Sequence, residues 1–272
     1  WFSAALVRES RERLQRLGFF EDVTIETPAV PGSADQVDVN VTVKEKPAGN
    51  LMAGIGYSQS QGVILNASVT QNNFLGTGKR VSFAVNTSQA TQLYQVAYLN
   101  PFYTVDGISR GFELSYRATD YQELLGADYS TAQGVVGMNF GFPISDKSRA
   151  GFGMRYQYTD FSAGFSELAK EFVAENGNVF NDFFLSASYV RDTRDTAVFP
   201  TKGSLQTLRL DVSVPGSDLT YYKTSYSGIR YVPLTRKFVL SLSADLGYGD
   251  AYGDLNYLPF FENYYAGGPR TV

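Results

Sequence analysis

Cysteine and histidine are both absent from the 272 residues. Without cysteine the chain can build neither a disulfide frame nor a thiolate metal site. Without histidine it has no imidazole zinc ligand, no histidine general base and no His-based triad. No apolar run approaches the roughly 18–20 residues that a spanning helix needs, and no charged-then-apolar leader opens the chain. No basic run exceeds a pair, and a net charge of −4 with a pI near 5.0 gives nucleic acid no electrostatic footing.

Aromatic residues and glycine are plentiful instead. Twenty Phe, 19 Tyr and 26 Gly point to many strands joined by tight turns, and the tyrosine excess suits a ring at a membrane–water boundary. Near the start, Leu6, Val7, Ser10, Leu14 and Leu17 recur on one helical face, with Ser3 as N-cap and Gly18 as the C-terminal stop. Two alternating segments follow, Val23 to Thr27 and Val37 to Val43, so residues 1–46 read as helix–strand–strand, a small α+β module.

Beyond "KEKPAG" only period-two alternation remains. Segments centred on 50–58, 63–69, 81–85, 94–98, 112–116, 136–142, 152–158, 183–189, 208–214, 222–226 and 238–246 give about eleven strands. Their apolar faces often begin and end in Tyr or Phe, as from Phe152 to Tyr158, while the opposite faces carry Glu113, Arg117, Arg155, Arg209, Asp211, Lys223 and Ser241. A soluble barrel would bury the apolar face, and a membrane barrel would turn it outward. The aromatic ends favour lipid outside. Connections after the second, fourth, sixth and tenth strands of this set end in Lys or Arg, as in "NNFLGTGKR" and "VPLTRK", and those after odd-numbered strands are polar or acidic. The expected pattern is short turns on the side where residues 1–46 enter and variable loops on the other. In the longest loop, Asp160 to Asp182, Phe165, Leu168, Ala169, Phe172 and Val173 predict a short amphipathic helix.

No motif carries catalysis. "LGTGKR" lacks the first glycine and the Ser/Thr of a phosphate loop, and "GIGY", "GFGM" and "GYGDAYG" miss dinucleotide spacing. The acids of "VRDTRD", with Asp245, Asp250 and Asp254, lack calcium-loop spacing, and no carboxylate pair stands out for glycoside hydrolysis. No catalytic, cofactor or metal residue is expected.

"NNFLGTGKRVSF", "YLNPFYTVDGISRG", "DTRDTAVFPTKGSLQTL" and "ENYYAGGPRTV" together resemble the BamA family of outer-membrane protein assembly factors of Gram-negative bacteria, and residues 11–46 resemble the end of its last POTRA domain. The resemblance implies a sixteen-stranded transmembrane antiparallel β-barrel with a weak seam between first and last strands. It places residues 1–46 as the C-terminal part of a periplasmic POTRA domain, and 47–272 as the N-terminal part of the barrel in the outer membrane, ending in a long extracellular loop. About eleven of the sixteen strands, and not the POTRA domain's first strand and helix, are expected here. The family's Arg-Gly-Phe or Arg-Gly-Tyr arginine has no equivalent, Arg270 being only its neighbour.

The implied activity is folding and inserting barrel proteins. Unfolded outer-membrane β-barrel clients, accessory assembly lipoproteins and the lipid bilayer are the implied partners, with no nucleotide hydrolysis. A relative that secretes or translocates a partner through its lumen is the alternative, and an outer-membrane protease or lipase is disfavoured by the missing histidine. The first strand, Asn50, Leu51, Met52, Ala53, Gly54, Ile55, Gly56, Tyr57 and Ser58, is weakly apolar and glycine-containing. It specifies register poorly and is the expected edge for client-strand docking.

Overall fold

The computed structural model describes residues 3–16, 19–33, 36–59, 61–164, 166–235 and 237–264. Helix α1, Ala4–Arg16, starts where Ser3 Oγ accepts from the Leu6 N–H at 3.5 Å; Leu17 and Gly18 lie outside the described residues. It packs on β1, Phe20–Glu26, whose Val23 is fully buried. β1 pairs antiparallel with β2, Asn40–Glu45. The second strand therefore begins three residues later than the alternation predicts. Val37 is joined to Ala29 only by an isolated bridge, because Pro28 has no N–H to continue the ladder.

The remaining strands form one eleven-stranded antiparallel sheet in strict chain order. They are β3 (Gly49–Ser58), β4 (Gly62–Gln71), β5 (Arg80–Thr87), β6 (Thr91–Asn100), β7 (Ser109–Asp120), β8 (Tyr129–Ser145), β9 (Ser148–Ala163), β10 (Val179–Asp192), β11 (Gly203–Ser213), β12 (Tyr221–Pro233) and β13 (Val239–Ala251). All eleven segments expected from alternation are present. Register aligns their apolar positions across the sheet: Phe112 faces Met138, Met138 faces Met154, Met154 faces Leu185 and Leu185 faces Val212. These side chains share one exposed face. Aromatic cross-strand pairs lie on the same face, with centroids 6.4 Å apart for Tyr94–Tyr116, 6.0 Å for Tyr98–Phe112 and 5.1 Å for Tyr156–Phe183.

The expected contrast in turn length holds only in part. On the side where β2 enters, the connections are 72–79, 101–108, 146–147, 193–202 and 234–238; on the other side, 59–61 and 88–90 are tighter than most of these. Long loops on that other side begin only with 121–128, which holds α2 (Tyr121–Leu125). There Asp120 Oδ1 accepts from the Gln122 N–H at 2.9 Å, and Gly126 closes the helix at φ 73°. On the entry side, the 193–202 turn needs its glycine. Gly203 has φ +98°, and a Cβ there would collide with the Thr193 carbonyl.

The longest loop is shorter than expected because β9 and β10 extend beyond their predicted ends. Only 164–178 connects them, and Phe180 and Asp182 belong to β10. Its helix, α3, spans Glu167–Asn176 with Ser166 as N-cap; Ala169 and Phe172 are buried, whereas Leu168 points away at 55 % exposure and Phe165 lies outside the described residues. The buried side of α3 meets the sheet face opposite the apolar band. Phe172 lies 6.1 Å from Phe161, 5.8 Å from Phe180 and 5.6 Å from Phe261 between ring centroids. Tyr129, Phe184, Leu219 and Tyr221 complete the cluster, which is the main core of the molecule.

Candidate client-strand edge and interior wall

β3 and β13 are the two edges of the sheet. β3 pairs with β4 alone, in an unbroken register from Gly49↔Gln71 to Ser58↔Gly62. The Asn72 N–H donates to the Ala48 carbonyl at 2.7 Å, which aims the backbone of residue 48 at β4. Antiparallel alternation then turns Asn50, Met52, Gly54, Gly56 and Ser58 toward β4. The N–H and C=O groups of Gly49, Leu51, Ala53, Ile55 and Tyr57 point the other way, along an edge that no other described strand pairs with. Leu51, Ile55 and Tyr57 put their side chains on the apolar face, where they are 75 %, 78 % and 78 % exposed. Gly54 and Gly56 lie on the opposite face, and a Cβ at either would meet no atom within 4 Å. No crowding among the described residues calls for glycine there.

The face opposite the apolar band is polar through its middle. Asp211 accepts from Arg155 Nη1 at 2.8 Å, Arg209 Nε at 2.6 Å and Ser186 Oγ at 2.6 Å, tying β9, β10 and β11 together. Gln95 Nε2 donates to Glu113 Oε1 at 3.0 Å between β6 and β7. Past β13 the chain turns back over this face. Lys223 Nζ pairs with Glu262 at 3.1 Å, and Tyr264 donates its hydroxyl to the Thr224 carbonyl at 3.0 Å. Phe260 and Phe261 thereby join the aromatic cluster. Among the described residues no group of three or more Asp and Glu could hold a metal ion.

A meander of long strands with an aromatic, apolar outer face and a charged inner one has well-defined relatives. The profile of the Omp85 superfamily domain matches residues 73–272, and that of the surface antigen variable number repeat, POTRA, matches residues 1–46. The chain belongs to the Omp85 superfamily. It is 27 % identical to outer membrane protein assembly factor BamA of Neisseria meningitidis over 283 residues, covering 100 % of this chain and 36 % of that protein. BamA of Nitratidesulfovibrio vulgaris is 28 % identical over 288 residues, 100 % of this chain and 34 % of the relative. The crystal structure of BamA from Haemophilus ducreyi lacking POTRA domains 1–3 superposes with a TM-score of 0.83 at 27 % identity, covering 99 % of this chain and 54 % of that one. CdiB from Acinetobacter baumannii shares the fold alone, with a TM-score of 0.58 at 13 % identity. The chain thus spans about a third of the BamA sequences it matches and about half of the solved BamA chain.

As an Omp85 barrel with BamA relatives, the sheet lies in the outer membrane, its POTRA module extends into the periplasm, and its apolar face meets lipid. The opposite face is the lumenal wall. All nine residues of the expected docking strand fall within β3, at an edge. The aromatic cluster inside the wall was not expected. Its signal is present at Phe180, Phe183 and Phe184, where aromatics break the alternation and occupy both faces beside an amphipathic loop.

Proposed function

We propose that this chain is the POTRA-proximal part of an insertase that folds β-barrel proteins into the outer membrane, with β3 as the edge on which a client strand forms. Residues 1–46 would end the periplasmic module. Residues 47–272 would begin the barrel and run into a long extracellular loop. The observation that carries the reading is the row of edge-directed backbone groups at Gly49, Leu51, Ala53, Ile55 and Tyr57. In lipid such groups need a partner, since no water reaches them, and a client's terminal strand supplies one by β-augmentation whatever its side chains. Gly54 and Gly56 offer no cross-strand side-chain contact to hold a competing seam strand. The step requires no catalytic group, because client folding in lipid supplies the driving free energy. Unfolded barrel proteins are the clients in this reading, and accessory assembly lipoproteins are its further partners.

Single cysteines from Asn50 to Ser58 in the complete protein, paired with cysteines in a client's last strand, test this. Disulfides should form in one fixed register, with yields alternating between Leu51, Ala53, Ile55 and Tyr57 and the residues between them. Crosslinks confined to lumen-facing positions on later strands, such as Arg155 or Ser241, would replace docking by passage of a partner through the lumen.

A further inference from the structure

On the lipid-facing side, the apolar band of β10, β11 and β12 ends toward the periplasm at Tyr189, Leu208 and Tyr226, which stand opposite one another in register. One step beyond this row the same face changes character. Arg191 faces Gln206, and Ser204 faces Arg230. These four residues, with Thr193 and Val232, line a cleft of about 410 Å³. Arg191 and Arg230 are exposed, and among the described residues neither forms an ion pair. Two guanidiniums and neutral donors at the edge of an outward apolar band make an anion site at headgroup depth.

The adjoining turn, 193–202, carries an exposed apolar side chain. Phe199 is 89 % exposed and has φ 54°, a left-handed conformation unfavourable for a bulky L-residue. Asp195 ties together the turn around it. Its carboxylate accepts from the backbone N–H groups of Thr196 at 3.1 Å, Thr201 at 2.9 Å and Lys202 at 3.2 Å, and from the Thr201 hydroxyl. Those bonds keep the carboxyl well below the usual carboxylate range, the Thr201 hydroxyl contributing most. Thr196 Oγ1 donates to the Val198 and Phe199 carbonyls at 2.9 and 3.2 Å. A strained backbone fixed from several directions, with a phenyl ring at its tip and exposed Lys202 beside it, suits an interfacial wedge next to bound phosphate.

We propose that Arg191, Gln206, Ser204 and Arg230 bind the phosphate of an anionic phospholipid in the periplasmic leaflet, with Phe199 seated at the acyl–headgroup boundary beside it. A lipid is favoured over an acidic protein surface because the site continues the lipid-facing band and lies on its side of the sheet. The proposal rests on membrane placement and is independent of client docking.

The test uses the complete protein, otherwise free of cysteine, with Phe199→Cys carrying an environment-sensitive dye, in bilayers containing brominated phosphatidylglycerol or brominated phosphatidylcholine. Half-maximal quenching by the anionic lipid is expected at about 25-fold lower mole fraction, about fivefold from each of the two near-surface cations. Arg191→Gln with Arg230→Gln should abolish that preference, and Arg149→Gln, on the lumenal face of the same rim, should keep it. Equal quenching by the two lipids, or a preference that survives the double substitution, overturns the proposal. So does a dye that stays water-like in both bilayers and shifts only when a soluble partner is added. Loss of the preference in sodium phosphate, but not in sodium chloride of equal ionic strength, would make the site one for free phosphate. If the double variant fails to fold, the two lipid arms and the phosphate arm on the parent protein still decide the matter.

Discussion

Leu185→Arg should cost the complete barrel about 2–4 kcal/mol of folding free energy in a bilayer, the range for a cation at midplane on a lipid-facing strand. Leu185 lies midway along the apolar face of β10, between Met154 on β9 and Val212 on β11, far from the polar ends where a long side chain could snorkel. Ser243→Arg, on the lumenal face of β13 opposite Ile229, should be far milder, because a charge there reaches water. Equilibrium folding into vesicles measures both. Equal losses would refute this assignment of the two faces, and a larger loss for Ser243→Arg would reverse it.

Phe172→Ala should destabilise the docked loop by about 3–5 kcal/mol, the usual loss for a fully buried phenyl ring. Phe172 is 2 % exposed and sits among Phe161, Phe180, Phe260 and Phe261, so its removal leaves a void that β9 and β10 cannot collapse to fill. Leu168→Ala, one turn earlier and facing away, should change stability by no more than about 0.5 kcal/mol. Limited proteolysis between Gly164 and Gly177 in the complete protein separates the cases. Rapid cleavage of the Phe172 variant alone is expected. Equal resistance of the two variants would show that the cluster does not hold the loop.

The strands were legible because alternation is a local signal, and each half-exposed strand writes its facing into every second residue. That is why Phe152, Met154, Tyr156 and Tyr158 gave both the existence and the facing of β9. Strand ends were less legible where the interior is apolar. At Phe180 to Phe184 both faces are greasy, one toward lipid and one toward the aromatic cluster, so alternation fades and β10 looked shorter than it is. Turn lengths misled for another reason. The tight connections 59–61 and 88–90 are polar, and polarity says nothing of how few residues close a hairpin. For the candidate site, glycine content marked β3 as weakly specified, but the direction in which each backbone group points depends on the register with β4. The Asn72–Ala48 bond fixes which residues of that register bond toward β4, and no local pattern encodes it.

The strict neighbour order of the sheet also bears on how it assembles. From β4 to β13 every strand pairs with the one immediately before it in the chain, so each addition closes only a short stretch. The largest such stretch, 164–178, is partly folded into its own helix. Growth by successive hairpins therefore meets little entropic resistance. Among the described residues the outer side of β3 has no such neighbour, since the preceding strand, β2, pairs with β1 in a separate sheet. A strand that pairs there has to come from another chain or from far along this one, and in the second case its arrival closes a much larger loop than any hairpin of the sheet and carries the larger entropic cost.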